Sequence, residues 1–253
     1  MRALFPNLKR LGIPSDAALL VHSSFRSMAR EGLTPDLVIE DLAGHMANGT
    51  LLLPTMSWRF VKPSKPEFDE IKTPSNTGIL TEIFRTRFAT HRSLHPTHSV
   101  AGLGVHAEEM LGEHHLDPTP CSIRSPFGKL VEVDGWVLML GIGFDCCTQI
   151  HHCEEVVAPN LYLRSTNETE TYSCTNRHGI NHTVQLRRHL FLPRDYWQFQ
   201  DQLARDMQLR LDYLGNVTCR AFRARDLHKI VIKALTKRPD AILASAGQRY
   251  RRM

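Results

Sequence analysis

No C-x-x-C pair occurs among the six cysteines, at 121, 146, 147, 153, 174 and 219, and their spacing lacks the regularity of a secreted disulfide framework. A reducing cytoplasm is therefore the expected compartment. No apolar run approaches the length of a membrane span, and Pro14 and Asp16 interrupt the N-terminal segment before a signal core can form. The phosphate-cradling G-x-x-x-x-G-K-[ST] loop and the dinucleotide G-x-G-x-x-G are missing, which argues against nucleotide hydrolysis and dinucleotide redox chemistry. G-x-S-x-G is missing too, so no serine sits on a strand-to-helix nucleophile elbow. Internal repeats and low-complexity segments are also lacking.

What is present is an ordinary globular composition: 253 residues, 42% apolar and 23% charged, with a formal net charge of +5. We expect one domain over 1–253. Much of the excess charge is terminal: Arg249, Arg251 and Arg252 read as a solvated basic tail over 246–253, so nucleic-acid binding is not inferred.

The apolar run Ala18 to Val21 ends abruptly in His22-Ser23-Ser24, as a buried strand does on reaching a sheet edge. Thr34 and Pro35 open a helix carrying Val38, Leu42 and Met46, Asn48-Gly49 closes it, and Thr50 to Leu53 is the next strand. Strand, short helix, strand is the unit of a layered α/β protein with parallel pairing. Ser75 is expected to cap a helix through Ile79, Leu80, Ile83 and Phe84. Trp136 to Leu140 reads as a strand, and a helix follows from Gln149 to Val157. Glu170 to Arg188 reads as a hairpin around Arg177-His178-Gly179, which would make the central sheet mixed. Phe199, Leu203, Met207, Leu211 and Leu214 fit one periodic helix, and Leu227, Ile230, Val231, Ala234 and Leu235 another. The expected architecture is thus α/β, a mixed central β-sheet flanked by helices, with a long loop from Trp58 to Asn76.

Chemistry concentrates in Gly141 to Glu154. Glycine lets a strand turn sharply there, and Thr148 can cap the helix that follows. His151 and Glu154 are three apart, which on a helix places a carboxylate where it can hold an imidazole in one tautomer. An H-x-x-E pair by itself is common surface salt chemistry. His151, His152, Glu154 and Glu155 beside three thiols also raise a metal reading. Adjacent histidines point to different helix faces, however, and neither H-E-x-x-H nor paired C-x-x-C is present, so no metal is expected. A second cluster, His91 to Val100, holds His91, His95 and His98 among hydroxyl neighbours.

These segments, in this order, resemble the aminoglycoside 3-N-acetyltransferase family. Val21-His22-Ser23-Ser24 is similar to its V-H-S-S, Gly49-Thr50-Leu51 with Pro54-Thr55 to G-T-L-x-x-P-T, and Phe68-Asp69 with Thr73-Pro74-Ser75 to F-D-P-x-x-T-P. Arg92 to Val100 resembles R-S-x-H-P-x-x-S, and Ser125 to Leu130 resembles S-P-x-G-[KR]-L. Gly141 to Glu154 resembles the element L-G-[VI]-G-x-x-x-N-T-S-L-H-x-x-E, whose histidine and glutamate fall on His151 and Glu154. The resemblance implies acetyl-CoA as donor and direct acyl transfer to an amine, first the 3-amino group of an aminoglycoside and next another metabolite amine.

On that reading His151 and Glu154, with His22, form the catalytic set. Ser23, Ser24, Ser27, His98 and Ser99 are assigned to acetyl-CoA, and Asp69, Glu82 and Glu155 to the acceptor. Glu67 and Glu70 add to a local acidic excess over Lys65 and Lys72 that suits a cation. The expected partners are small molecules, with neither nucleic acid nor membrane, and a homodimer is allowed. A metal-dependent hydrolase and an acyl-CoA-binding protein without catalysis are the alternatives. This chain departs from the family at Cys147-Thr148-Gln149, where Asn-Thr-Ser is usual, at Phe144, where a histidine is frequent, and at His152-Cys153. The chain is also basic overall, whereas an aminoglycoside suits a carboxylate-lined pocket.

Overall fold

The run beginning at Ala18 forms strand β1 (Ala18–Ser23) in a computed structural model that describes residues 3–245; the basic tail expected at 246–253 lies outside them. The later strands are β2 (Thr50–Pro54), β3 (Glu67–Asp69), β4 (His91–Arg92), β5 (Val100–Gly104), β6 (Trp136–Leu140), β7 (Glu170–Thr175), β8 (Asn181–Leu186), β9 (Arg210–Leu214) and β10 (Val217–Arg223). A seven-stranded mixed sheet runs in the order β4-β5-β2-β1-β6-β10-β9. Strand β1 is parallel to both β2 and β6, while β5 and β10 run antiparallel on either side.

Both faces of this sheet are covered, which is why its middle strands read as unbroken apolar runs. Side chains alternate across the pleat. Leu20, Leu52, Val137 and Met139 therefore join the core beneath helices 126–132, 149–157 and 224–237, whereas Leu19, Val21, Leu51 and Leu138 pack on the opposite face with helix 35–45. Helix Pro35–His45 starts as expected, with Thr34 Oγ1 accepting the Leu37 N–H at 3.3 Å.

Four expectations need correction. Hairpin β7–β8 does not join the central sheet; it forms a three-stranded sheet with β3. Its alternation supplies only one apolar face, Tyr172, Cys174, Val184 and Leu186, which closes a small separate core with Val61, Phe68 and Leu94. The central sheet is mixed because of β4, β5, β9 and β10 instead. The single helix expected through Leu214 stops at Arg205: Met207 takes a left-handed φ of 56° with its side chain outside, and Leu211 and Leu214 lie on β9. A turn at Gly215, with φ 60°, returns the chain into β10. Ser75 is not a helix cap, because Gly78 precedes the helix Ile79–Ile83 and the Ser75 hydroxyl bonds Thr77 and Thr81. Thr148 occupies the N-cap of helix 149–157 but its side chain makes no capping bond.

The C-terminal ends of β1 and β6 meet at one edge, where Ser24 N donates to Leu140 O at 3.0 Å. Gly141 leaves β6 with φ 64°, and a Cβ there would lie 2.2 Å from Ser27 Oγ. Gly141→Ala should therefore cost about 2 kcal/mol, read by urea denaturation, and Ser27→Gly should recover part of it. Equal losses in single and double variants would show that the hydroxyl is not the obstacle.

Candidate active site

Helix Gln149–Val157 is fixed at its start by Gln149 Nε2, which donates to Phe127 O at 2.8 Å, and ends ahead of Pro159. The helix repeat places His151 and Glu154 one turn apart on one face. His151 Nδ1 lies 2.8 Å from Glu154 Oε2. The carboxylate is fully buried, with 0% side-chain exposure, and is completely partnered. Arg194 grips it in bidentate fashion, Nε to Oε1 at 2.8 Å and Nη2 to Oε2 at 3.1 Å. Tyr196 donates its hydroxyl proton to Oε1 at 2.9 Å. Arg194 Nη1 is spent on the carbonyls of Leu190 and Leu192.

Burial alone would push the Glu154 carboxyl up, but His151 and Arg194 outweigh it and hold the pKa down to about 2. Tyr196 is pushed the other way by burial and by Glu154, so it stays a phenol and a donor. An ionised Glu154 accepts only. It therefore assigns the His151 proton to Nδ1 and leaves Nε2 with its lone pair, the state a general base requires.

His151 opens onto a cavity of about 620 Å³. His189 forms its adjoining wall, stacked on His151 with ring centroids 4.3 Å apart, and the edge of His98 meets His189 at 5.6 Å. Burial, then the neighbouring imidazoles, holds both His189 and His98 well below the usual histidine range, so these rings are neutral near pH 7. A second, narrower cleft of about 210 Å³ lies at the strand ends, lined by His22, Ser23, Thr77, Thr81, Cys146 and Thr148 among others. Burial pulls His22 down to about 4, and its Nε2 has no hydrogen-bond partner among the described residues.

The remaining residues singled out from sequence scatter. Ser23 lines the narrow cleft, while Ser27 Oγ donates to Ser24 O. Buried Ser99 donates to Thr55 O and accepts from Arg92 Nε. Asp69 accepts the N–H groups of Ile71 and Lys72. Glu82 binds Arg85 and the Ser75 N–H. Glu70 pairs with Arg177. Glu155 accepts from Thr119 Oγ1 and Cys121 N, and its Oε1 lies 2.7 Å from His189 Nε2, out of line for an N–H···O bond. Burial raises Glu155 to about 7.

Among the described residues two ligand sets draw within 4.8 Å, Cys121 with Glu155 and His189, and His151 with Glu154 and His189. The second is a poor cation site because a guanidinium already occupies Glu154. In the first, burial raises the Cys121 thiol well above its usual range, so it remains protonated.

The model of the family described as aminoglycoside 3-N-acetyltransferase matches residues 20–236. The chain belongs to the aminoglycoside 3-N-acetyltransferase family. A prophage-derived aminoglycoside N(3')-acetyltransferase-like protein of Bacillus subtilis (strain 168) is 29% identical over 174 residues, covering 60% of this chain and 64% of that relative. The crystal structure of aminoglycoside acetyltransferase AAC(3)-IVa, as apoenzyme, superposes with a TM-score of 0.76 at 27% identity, covering 96% of this chain and 90% of that one. The binary structure of AAC-IIIb with CoASH has a TM-score of 0.78 at 24% identity, covering 93% and 95%, and shows the shared fold.

Arg194, Tyr196 and His189 were not among the residues picked from sequence. No motif surrounds Pro193-Arg194-Asp195-Tyr196, and Glu154 lies 40 residues from Arg194 and 42 from Tyr196. The one available signal was chemical: a carboxylate that orients a base within a core needs a cation of its own.

Removing that cation strands a buried charge, so Arg194→Met should cost about 3–5 kcal/mol at pH 7. Glu154 is depressed in the folded state. Its contribution is thus present above the unfolded pKa of about 4.3 and fades as pH falls toward 2. The destabilisation of Arg194→Met should accordingly shrink as pH falls from neutrality toward about 3, read by urea denaturation followed by circular dichroism. An equal loss at neutral pH and at about pH 3 would contradict the assignment.

Proposed function

We propose that this chain transfers the acetyl group of acetyl-CoA directly to an amine, with His151 as general base and Glu154 as the group that orients it. The observation that carries this reading is the Arg194–Glu154–His151 arrangement, which fixes one tautomer and leaves Nε2 with its lone pair on a residue that lines the wide cavity. As the amine lone pair adds to the thioester carbonyl carbon, a C–N bond forms and Nε2 accepts the amine proton. Collapse of the tetrahedral adduct breaks the C–S bond, and the imidazolium returns its proton to the leaving sulfur. An acceptor that arrives as an ammonium also releases one proton to solvent. The products are an amide and the free thiol of coenzyme A.

The donor fits the narrow cleft at the ends of β1 and β6. Its Ser23, Thr77, Thr81 and Thr148 side chains suit the slim pantetheine arm. Family membership and the CoASH complex of AAC-IIIb support this donor. The family's name supplies the first acceptor class, the 3-amino group of an aminoglycoside. A single acetyltransferase domain over 1–253 and a cytoplasmic setting accord with this reading, and the partners are then the amine and acetyl-CoA.

Positioned base catalysis contributes about a hundred to ten thousand fold, so His151→Ala should lower kcat by that order with little change in acetyl-CoA affinity. Glu154→Gln should fall less far, and the double variant little further than His151→Ala, because the pair acts as a unit. Near-wild-type kcat in folded His151→Ala would sink the assignment and turn attention to His22, His95 and His98. Chelation should leave thiol release intact, since the thioester is already activated and a guanidinium holds the carboxylate; loss of turnover that zinc restores would reverse that conclusion.

A further inference from the structure

The amine nitrogen that gives its proton to His151 Nε2 must enter the cavity that His151 lines. The walls of that cavity therefore select the acceptor. They include Trp58, Pro63, Leu190 and Phe191 on the apolar side and Lys62 and Arg188 on the charged side, with no carboxylate lining it among the described residues. Glu154 and Glu155 lie behind the rings of His151 and His189, with side-chain exposures of 0% and 3%. The acidic residues expected to face a cation are engaged elsewhere: Asp69 by backbone amides, Glu70 by Arg177 and Glu82 by Arg85.

The charge balance at the mouth is positive. Lys62 is exposed and makes no ion pair among the described residues. Arg188 and Arg164 share one carboxylate, Glu170, at 2.5 Å and 4.0 Å. His98 and His189 are neutral. At the rim Phe191 is 98% exposed and offers, with Trp58, an aromatic surface for a ligand body to cover.

We propose that the preferred acceptor is an amine with an apolar body and an anionic group, a carboxylate or phosphate, that pairs with Lys62 and the Arg188 side of the cavity. This rests on the transferase reading above and departs from the aminoglycoside that the family's name supplies as acceptor. A polycation meets like charge at this mouth, and an anionic amine is drawn in.

The test is thiol release from acetyl-CoA with three acceptors at low salt: 4-(aminomethyl)benzoate, its neutral counterpart benzylamine, and the polycationic aminoglycoside kanamycin. KM for the carboxylate should lie about tenfold below that for benzylamine, and kcat/KM for kanamycin should be the lowest of the three. The gap should narrow in half-molar salt, shrink in Lys62→Gln and invert in Lys62→Glu, an exposed position where both variants should fold. Kanamycin outperforming the carboxylate amine, with Lys62→Glu without effect, would overturn the proposal and leave the transferase standing. A rise confined to the acetyl-CoA KM in Lys62→Glu would overturn it by assigning the cation to the donor's phosphates. No thiol release with any amine would remove both the proposal and the transferase reading.

Discussion

A carboxylate without access to water is tolerated only when every lone pair is claimed and its charge is matched, and Glu154 meets both conditions. Arg194 matches the charge, Tyr196 and His151 complete the shell, and each partner is in turn placed by the carboxylate. Arg194 takes two backbone carbonyls of segment 190–192 at the same time, so the geometry of the base and the path of the cavity wall are settled together. The pair is costly to bury and costly to break. Its return is a single orientation for one imidazole.

Around that ion pair the histidines divide into two electrical classes. His151 keeps an ionised partner, whereas His95, His98, His114 and His189 are buried with no carboxylate hydrogen-bonded to a ring nitrogen, and burial keeps them neutral. His114, His95, His98, His189 and His151 nevertheless form a continuous series of ring contacts. Within that series His151 has a carboxylate hydrogen-bonded to its ring, and the other four act as polarisable, uncharged walls.

The parts of the fold that were legible in the sequence are those governed by local rules. Thr34-Pro35 caps a helix because cap chemistry is local, and Trp136–Leu140 is a strand because a short, doubly buried apolar run bounded by glycines has few other uses. The same periodicity misled between Phe199 and Leu214. Spacing of four counted apolar residues without seeing that Gly215-Asn216 is a hairpin turn, which makes the preceding residues a strand. In the site, His151 and Glu154 were legible as an i, i+3 pair. Arg194, Tyr196 and Lys62 were not, since tertiary folding alone brings them to the helix.

The chain that leaves helix 149–157 returns to it at Arg194, and the excursion is closed at its neck: Leu163 bridges His189 and Arg164 N donates to Arg188 O at 2.9 Å. Beyond the neck lies hairpin β7–β8, which pairs with β3 and shares a small apolar core with Val61, Phe68 and Leu94. A loop tied at its base changes length at little entropic cost, roughly 0.6 kcal/mol for each doubling. The architecture therefore separates two rates of change along one excursion. Solvent-facing positions of the hairpin beyond the neck can be recharged or exchanged, while the histidine's orientation is held from the other side of the neck. Tolerance to change becomes a property of the appendage's surface and reactivity a property of the frame.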